Sequence, residues 1–433
     1  MARSHIDRER LAVLVSRFVD TGAPTGFEAP LARVVATELA RSGIESRVQE
    51  LDPNQANAVA RLPGGRGSPS LLLYAPLDTV TVGREQDDLP WAGPELRADM
   101  RPRAVRAGDV ITGLGAHNPL GHAACVVAAV EAVAAAGVPL AGDLWAGLGA
   151  GGMPCDPRPG DDRSVIGHGV GCRALVEEVR PARAVIAKSG WSVSHEEVGL
   201  MWFDVEVRGT HTYVGSRHLI DYVNAIREAG RVIEELETRW FGAWAEAHTS
   251  GLVRPQGVVS HIRAGWPHMA AFTPAVCRFG VDLRIGPRTT PAEAEAEFGA
   301  ALEAVAARTG VDLSWSTRVA IPGTSTPAGA RVIRSTVAAW ERLTGVAHTP
   351  PAGMSGATDA NILRGAGIPT ARVGLPKVPA PGGGDTGTVA GMGREADFQA
   401  GMNTVSLDDM EMLTALLVEV AVDLCGPPPG GES

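Results

Sequence analysis

The sequence predicts an α/β protein, a three-layer α/β/α domain interrupted by an inserted α+β domain. Three observations predict this. Both ends of the chain alternate helix and strand patterns, the central strands read as short apolar runs, and the middle changes to half-buried alternation.

Leu11, Val13, Leu14 and Phe18 lie at helical spacing, as do Leu31, Val34, Val35 and Leu39, with Gly43 as a stop. The run Leu71-Leu72-Leu73-Tyr74, bounded by Pro69 and Pro76, suits a strand buried on both faces of a parallel sheet. Residues 120–136 form an Ala/Val-rich helix ended by Gly137, and Asp143-Leu144-Trp145-Ala146 and Ala184-Val185-Ile186-Ala187 read as further central strands. Met201-Trp202-Phe203-Asp204-Val205-Glu206-Val207 then alternates as a half-buried strand. A helix over 220–240 follows, then strands near 258–262 and 277–285, a helix opened by Pro291 and running to about 308, and a strand over 311–319. That β-α-β-β-α-β order is ferredoxin-like. After Pro322 come helices over 330–343 and 357–364, a strand over 370–373 and a last helix over 407–424. The expected main domain is 1–198 with 320–426. The insert is 199–319, and the Pro/Gly-rich 427–433 is a disordered-type tail.

At 433 residues the chain is long enough for two cores. Its formal charge is −10 and its basic residues are scattered, which argues against a nucleic-acid partner. The five cysteines are odd in number and show no Cys-x-x-Cys spacing, which suits a reducing compartment. The N-terminus turns at once into a charged helix pattern without the apolar core of a signal peptide. The most apolar stretch, 123–136, is interrupted by Glu131 and too short to span a bilayer. A cytoplasmic protein acting on a small molecule is expected, with no membrane partner.

Several segments carry a family resemblance. Leu71-Leu72-Leu73-Tyr74-Ala75-Pro76-Leu77-Asp78-Thr79-Val80 looks like a strand and turn bearing a His-x-Asp pair. Gly113-Leu114-Gly115-Ala116-His117-Asn118-Pro119-Leu120-Gly121 looks like a glycine-rich turn bearing a metal-bridging Asp. Gly209-Thr210-His211, Asn224-Ala225-Ile226, Asp282-Leu283-Arg284 and Ser355-Gly356-Ala357-Thr358-Asp359-Ala360 follow in the matching order. Over nearly its whole length the chain resembles the aminoacylase, acetylornithine deacetylase and succinyl-diaminopimelate desuccinylase metallopeptidases, a family of dinuclear zinc or cobalt amidohydrolases.

The resemblance implies a metal pair, yet the residues at those positions depart from the pattern. Pro76 stands where the first ligand His is expected, and Asn118 where the bridging Asp is. Gly147-Leu148-Gly149-Ala150-Gly151-Gly152-Met153 contains no Glu-Glu pair, Lys188-Ser189 replaces the next acidic ligand, and Gln399 falls near the C-terminal His. Proline and glycine side chains have no donor atom, and a lysine ammonium repels a cation. The expectation is therefore no metal and no other cofactor. A metal site relocated onto His117, His122, His168, Asp78 and Cys155 is the alternative.

Asp78, at a strand C-terminus, is the candidate acid or base, set against a purely local role capping the turn through the Thr79 and Val80 amides. His211 matches the family's dimerisation-domain His, which polarises the scissile carbonyl, and completes the candidate catalytic pair. His117, Asn118, Lys188, Arg284 and Asp359 are candidates for substrate contact. Asn118 is set against helix N-capping, Lys188 against snorkelling to solvent, and Arg284 against plain exposure. Cys155 and Cys172, with Asp156 and His168 nearby, are a weaker nucleophile candidate. The resemblance further implies a homodimer. Together these readings point to a metal-independent enzyme acting on an amide or other C–N bond of a small carboxylated compound, with a non-catalytic ligand-binding homologue as the rival.

Overall fold

The computed structural model describes residues 2–65, 67–158, 160–376 and 398–427, together with the two-residue strands Thr388–Val389 and Gly393–Arg394. The tail residues 428–433 and the side chain of Gln399 lie outside the described residues. The chain forms two compact units. One comprises Met1–His195, Thr326–Pro351 and Thr358–Ser433; the other comprises Glu196–Ser325 and Ala352–Ala357.

The first unit is built on a six-stranded sheet in the order Glu45–Glu50, Ala56–Leu62, Leu144–Gly149, Leu71–Pro76, Arg183–Ala187, Thr370–Val373. The Leu71 strand runs parallel to both its neighbours, and the Thr370 strand parallel to the Arg183 strand. All six residues of Leu71–Pro76 are buried, as a strand covered on both faces requires. One face packs in a core shared by helices Arg8–Thr21, Ala29–Arg41, Leu120–Ala135, Arg331–Thr344 and Leu407–Cys425. The other packs Leu72, Tyr74 and Ile186 against Cys172 and Leu175 of helix Val170–Val179 and Leu363 of helix Ala360–Gly365. Leu120–Ala135 is apolar on nearly every side, and it is buried along its length up to Val133 except at Glu131. Asp7 caps the first helix by accepting from the Glu9 and Arg10 amides.

The second unit is a four-stranded antiparallel sheet in the order Gly257–Ala264, Val276–Ile285, Gly199–Arg208, Leu313–Ile321. Its core joins Phe203, Phe279 and Val281 of the sheet to Ala229 and Val232 of helix Ala225–Glu235 and to Phe298 and Leu302 of helix Pro291–Thr309. Pro291 made this start readable from the sequence, and Thr290 and Glu293 form a reciprocal cap around it. The other helix starts five residues later than the expected 220. Asn224 accepts from the Ile226 and Arg227 amides and fixes the first turn, and the helix continues through a π turn, Leu236–Trp240, into Phe241–His248. The second unit also takes up 352–357, where Met354 pairs with Leu252 and Arg254 through backbone hydrogen bonds. Among the described residues no helix is long and apolar enough to cross a membrane.

Candidate functional site

The Leu71 strand ends at Pro76, and the chain turns so that Asp78 is fully buried. Its carboxylate does not cap its own turn. Oδ1 accepts from the Gly152 amide (2.9 Å), and Oδ2 from the Met153 amide (2.8 Å) and the Thr25 hydroxyl (2.9 Å). The local-cap reading is thus corrected: the glycine loop after the Leu144 strand supplies the amide donors, while the Thr79 amide donates to the Ala23 carbonyl (2.8 Å).

A second carboxyl, Glu28, lies alongside. It too is fully buried; Oε1 accepts from the Gly26 and Gly151 amides (3.0 and 2.9 Å) and Oε2 from the Gln55 side chain (3.1 Å). Successive amides, Gly151 and Gly152, therefore serve Glu28 and Asp78 respectively. Burial pushes the Glu28 carboxyl up to about 8, and the Asp78 charge adds to the rise against the opposing N–H donors. Gly151 holds a left-handed φ of 61°, where a side chain would also run into the Ile166 carbonyl. A Cβ on Gly152 would come within 2.7 Å of Pro76 Cβ, 2.9 Å of Asp359 Oδ2 and 3.1 Å of Asp78 Oδ1, so these residues converge on one point.

Asp359 precedes helix Ala360–Gly365 without capping it, and its Oδ2 accepts from the Tyr74 hydroxyl at 2.5 Å. Burial, followed by the Asp359 charge, pushes the Tyr74 phenol well above its ordinary range, so the phenol stays a donor. The Tyr74 ring spreads over Gly149 on the neighbouring strand, where any Cβ would collide with the hydroxyl.

The imidazoles form another cluster. His117 Nε2 donates to the Pro376 carbonyl (3.0 Å). His122 Nδ1 donates to the His117 carbonyl (2.8 Å), while Nε2 accepts from the Leu375 amide (3.0 Å). Both His122 nitrogens are engaged in the neutral tautomer. Burial first, then His117 and Lys188, holds its protonation well below the ordinary range. The Asn118 amide nitrogen donates to Met402 Sδ (3.2 Å), and its Oδ1 is buried with no partner among the described residues. Pro119, not Asn118, occupies the N-cap position of the Leu120 helix, so the N-capping reading does not hold. Lys188 is only 9% exposed, which corrects the snorkelling alternative. The next residue, Ser189, likewise buries its Oγ without a partner among the described residues.

In the second unit, the Arg284 fork is engaged by Asp282 two residues back, at 2.6 and 3.2 Å, so its exposure and its charge are both curtailed. His211 is exposed; its Nδ1 donates to the Thr273 carbonyl (2.8 Å) and its ring stacks on Phe272. The cysteine candidate weakens. Burial raises both thiols, Cys172 well above its ordinary value, and the Asp78 charge adds to the rise at Cys155. A raised thiol is a poor nucleophile. His168 Nε2 lies 3.2 Å from Asp156 Oδ1, and among the described residues no three His, Cys, Asp or Glu side chains gather as a metal site.

Sequence reasoning missed Glu28, Tyr74 and Ser189. Glu28 occupies the N-cap position of helix Ala29–Arg41, two residues before Pro30, where an acid reads as an ordinary helix-start residue. Only the fold turns its carboxyl toward a loop more than a hundred residues away.

No protein-family model matches the sequence. The architecture, an α/β unit interrupted by an α+β unit, is similar in fold to M20 peptidases and related amidases. Human carnosine dipeptidase 1 shares 14% identity over 97% of this chain and 98% of its own, with a TM-score of 0.68. A hydantoinase/carbamoylase family amidase from Burkholderia ambifaria shares 16% over 98% of both chains, with a TM-score of 0.61. The YXEP protein of Bacillus subtilis, a dinuclear metal binding peptidase from the M20 family, shares 13% over 96% of this chain and 98% of its own, with a TM-score of 0.60.

Proposed function

We propose that the chain is a hydrolase-like enzyme acting on a C–N bond of a small carboxylated compound, without the metal pair that its resemblance implies. The observation that carries this reading is the Glu28–Asp78 couple, two buried carboxyl groups on successive loop amides beside the C-terminal ends of parallel strands. The Glu28 carboxyl, raised by burial and by the Asp78 charge, is suited to taking up and returning a proton near neutral pH. Asn118 Oδ1 and Ser189 Oγ, buried without partners among the described residues, suit hydrogen bonds to a ligand.

The donor set does not fit a dinuclear metal. Pro76 and Gly152 converge with Asp78 and Asp359 and contribute no donor atom, while backbone and hydroxyl donors already occupy both Asp78 oxygens. His122 has neither ring nitrogen to spare. The proton chemistry is therefore assigned to the chain's own carboxyls, with His211 retained as the second unit's candidate carbonyl polariser.

Assay against N-acyl amino acids and dipeptides, with and without EDTA, tests the reading. Turnover should resist the chelator, and elemental analysis should find well under one divalent ion per chain. Glu28→Gln, Asp78→Asn and His211→Ala should each lower kcat by at least about a hundredfold. Chelator-sensitive turnover with about two zinc or cobalt ions per chain would sink it. The complete burial of both carboxyls also favours a second reading, a ligand-binding protein in which the couple only latches the glycine loop. Ligand-raised melting temperature without turnover on any compound would select it.

The same reading includes a two-fold homodimer through the second unit. Val258 and Ile262 are exposed on the edge strand Gly257–Ala264, and Ile226 on the helix Ala225–Glu235. Light scattering should give twice the chain mass, and Ile262→Lys should weaken the dimer at least about tenfold. A full-length chain that is monomeric at micromolar concentration contradicts this.

A further inference from the structure

Within the second unit, the loop preceding strand Val276–Ile285 is laced to the loop carrying His211. The Val214 amide donates to the Ala271 carbonyl (2.8 Å) and the Thr273 amide to the Thr212 carbonyl (2.9 Å). The Thr273 hydroxyl donates to the Thr210 carbonyl (2.7 Å) and accepts from the Thr212 amide (3.0 Å). With His211 Nδ1 committed to the Thr273 carbonyl and its ring stacked on Phe272 at 5.4 Å, the imidazole is held in place, and Nε2 is its remaining hydrogen-bonding atom.

These loops bound a cavity of about 510 Å³, lined by His211, Arg263, Trp266, Met269, Phe272 and Thr273 among others. That volume falls in the range of small-ligand sites. Trp266 is 61% exposed, Met269 47% and Phe272 38%, a costly concentration of apolar surface around a concavity. Arg263 is exposed and makes no ion pair among the described residues, and no acidic side chain among them lines the cavity. In a chain of formal charge −10, a cavity whose ionisable lining is all basic selects for an anion.

We infer that this cavity binds a small planar aromatic carboxylate, with its ring against Trp266 and Phe272 and its carboxylate on the Arg263 guanidinium. Aromatic faces and a residual arginine fork are the matching chemistry for such a ligand. The site lies wholly within the second unit and stands whether or not the first unit turns over a substrate.

Isothermal titration of the full chain with 1-naphthoate, and with the neutral 1-naphthamide, tests this. Naphthoate should bind at least about tenfold more tightly than naphthamide. Arg263→Gln should abolish that preference while leaving naphthamide affinity within about twofold, and Trp266→Ala should weaken both ligands at least about fivefold. Both positions are exposed, and circular dichroism melts verify that the variants fold. Equal affinity for the two ligands, or variants that bind like the parent, overturns the inference. So does Trp266→Ala dissociating an oligomer while naphthoate binding is unchanged, which would assign the patch to a second copy of the chain.

Discussion

Glu28→Gln is expected to remove a large part of the chain's loss of stability between pH 5 and pH 9. In the folded chain the Glu28 carboxyl holds its proton up to about 8, whereas an unfolded glutamate releases it near 4.5. Between those values the native state binds a proton that the unfolded state has lost. The associated stability is fully present below about 4.5, declines as pH rises, and is lost once pH passes about 8. For so deeply buried a group the difference is on the order of several kcal/mol. Glutamine keeps an oxygen for the Gly26 and Gly151 amides and cannot ionise. Asp409, raised to about 6 by burial and by Asp408, contributes a similar slope, but it is common to both proteins and cancels in the comparison. Thermal melts across this range should therefore fall steeply for the parent and much less for the variant. Parallel curves would show that the Glu28 proton is not coupled to folding.

Asp78→Ala is expected to be among the most destabilising single changes. It strips the acceptor from the Gly152 and Met153 amides and from the Thr25 hydroxyl at once, three part-buried donors that close on a fully buried carboxylate. A donor left unsatisfied away from water costs about 1–3 kcal/mol, and partial solvent access to these three lowers that, so the loss is on the order of a few kcal/mol. Asp78→Asn retains one oxygen but sets an NH2 against N–H donors, and should fall between the two. Removing the Asp78 charge should also bring the Glu28 titration down, since that charge is one of its two lifting causes. Chemical denaturation ranks the three proteins. An alanine variant as stable as the parent would mean that the loop does not depend on this carboxylate.

The layout was legible because it follows from local chemistry. A wholly apolar run between prolines can only be covered on both faces, and the alternation of 201–207 gives a strand with one wet side whatever its neighbours. The helix start at Pro291 was legible from that proline, and the structure adds the Thr290–Glu293 cap. The site was less legible because its geometry is made by distant pairs. Asp78 was noticed, but its acceptor role depends on amides more than seventy residues away, and nothing near Glu28 in sequence reveals that Gly151 completes it. Lys188 and Asn118 stand out in the sequence as departures from the family pattern, while their surroundings, His122 and Met402, come from other elements.

The ring of Tyr74 lying over Gly149 ties two positions into one unit of inheritance. A side chain at 149 has nowhere to go while the phenol occupies that space, and shrinking 74 alone leaves a hollow in the core and an Asp359 oxygen without its donor. Either substitution alone is a step downhill, so a lineage can leave this pairing only by changing both. Descendants of this chain should therefore show tyrosine with glycine, or neither, at the two sites.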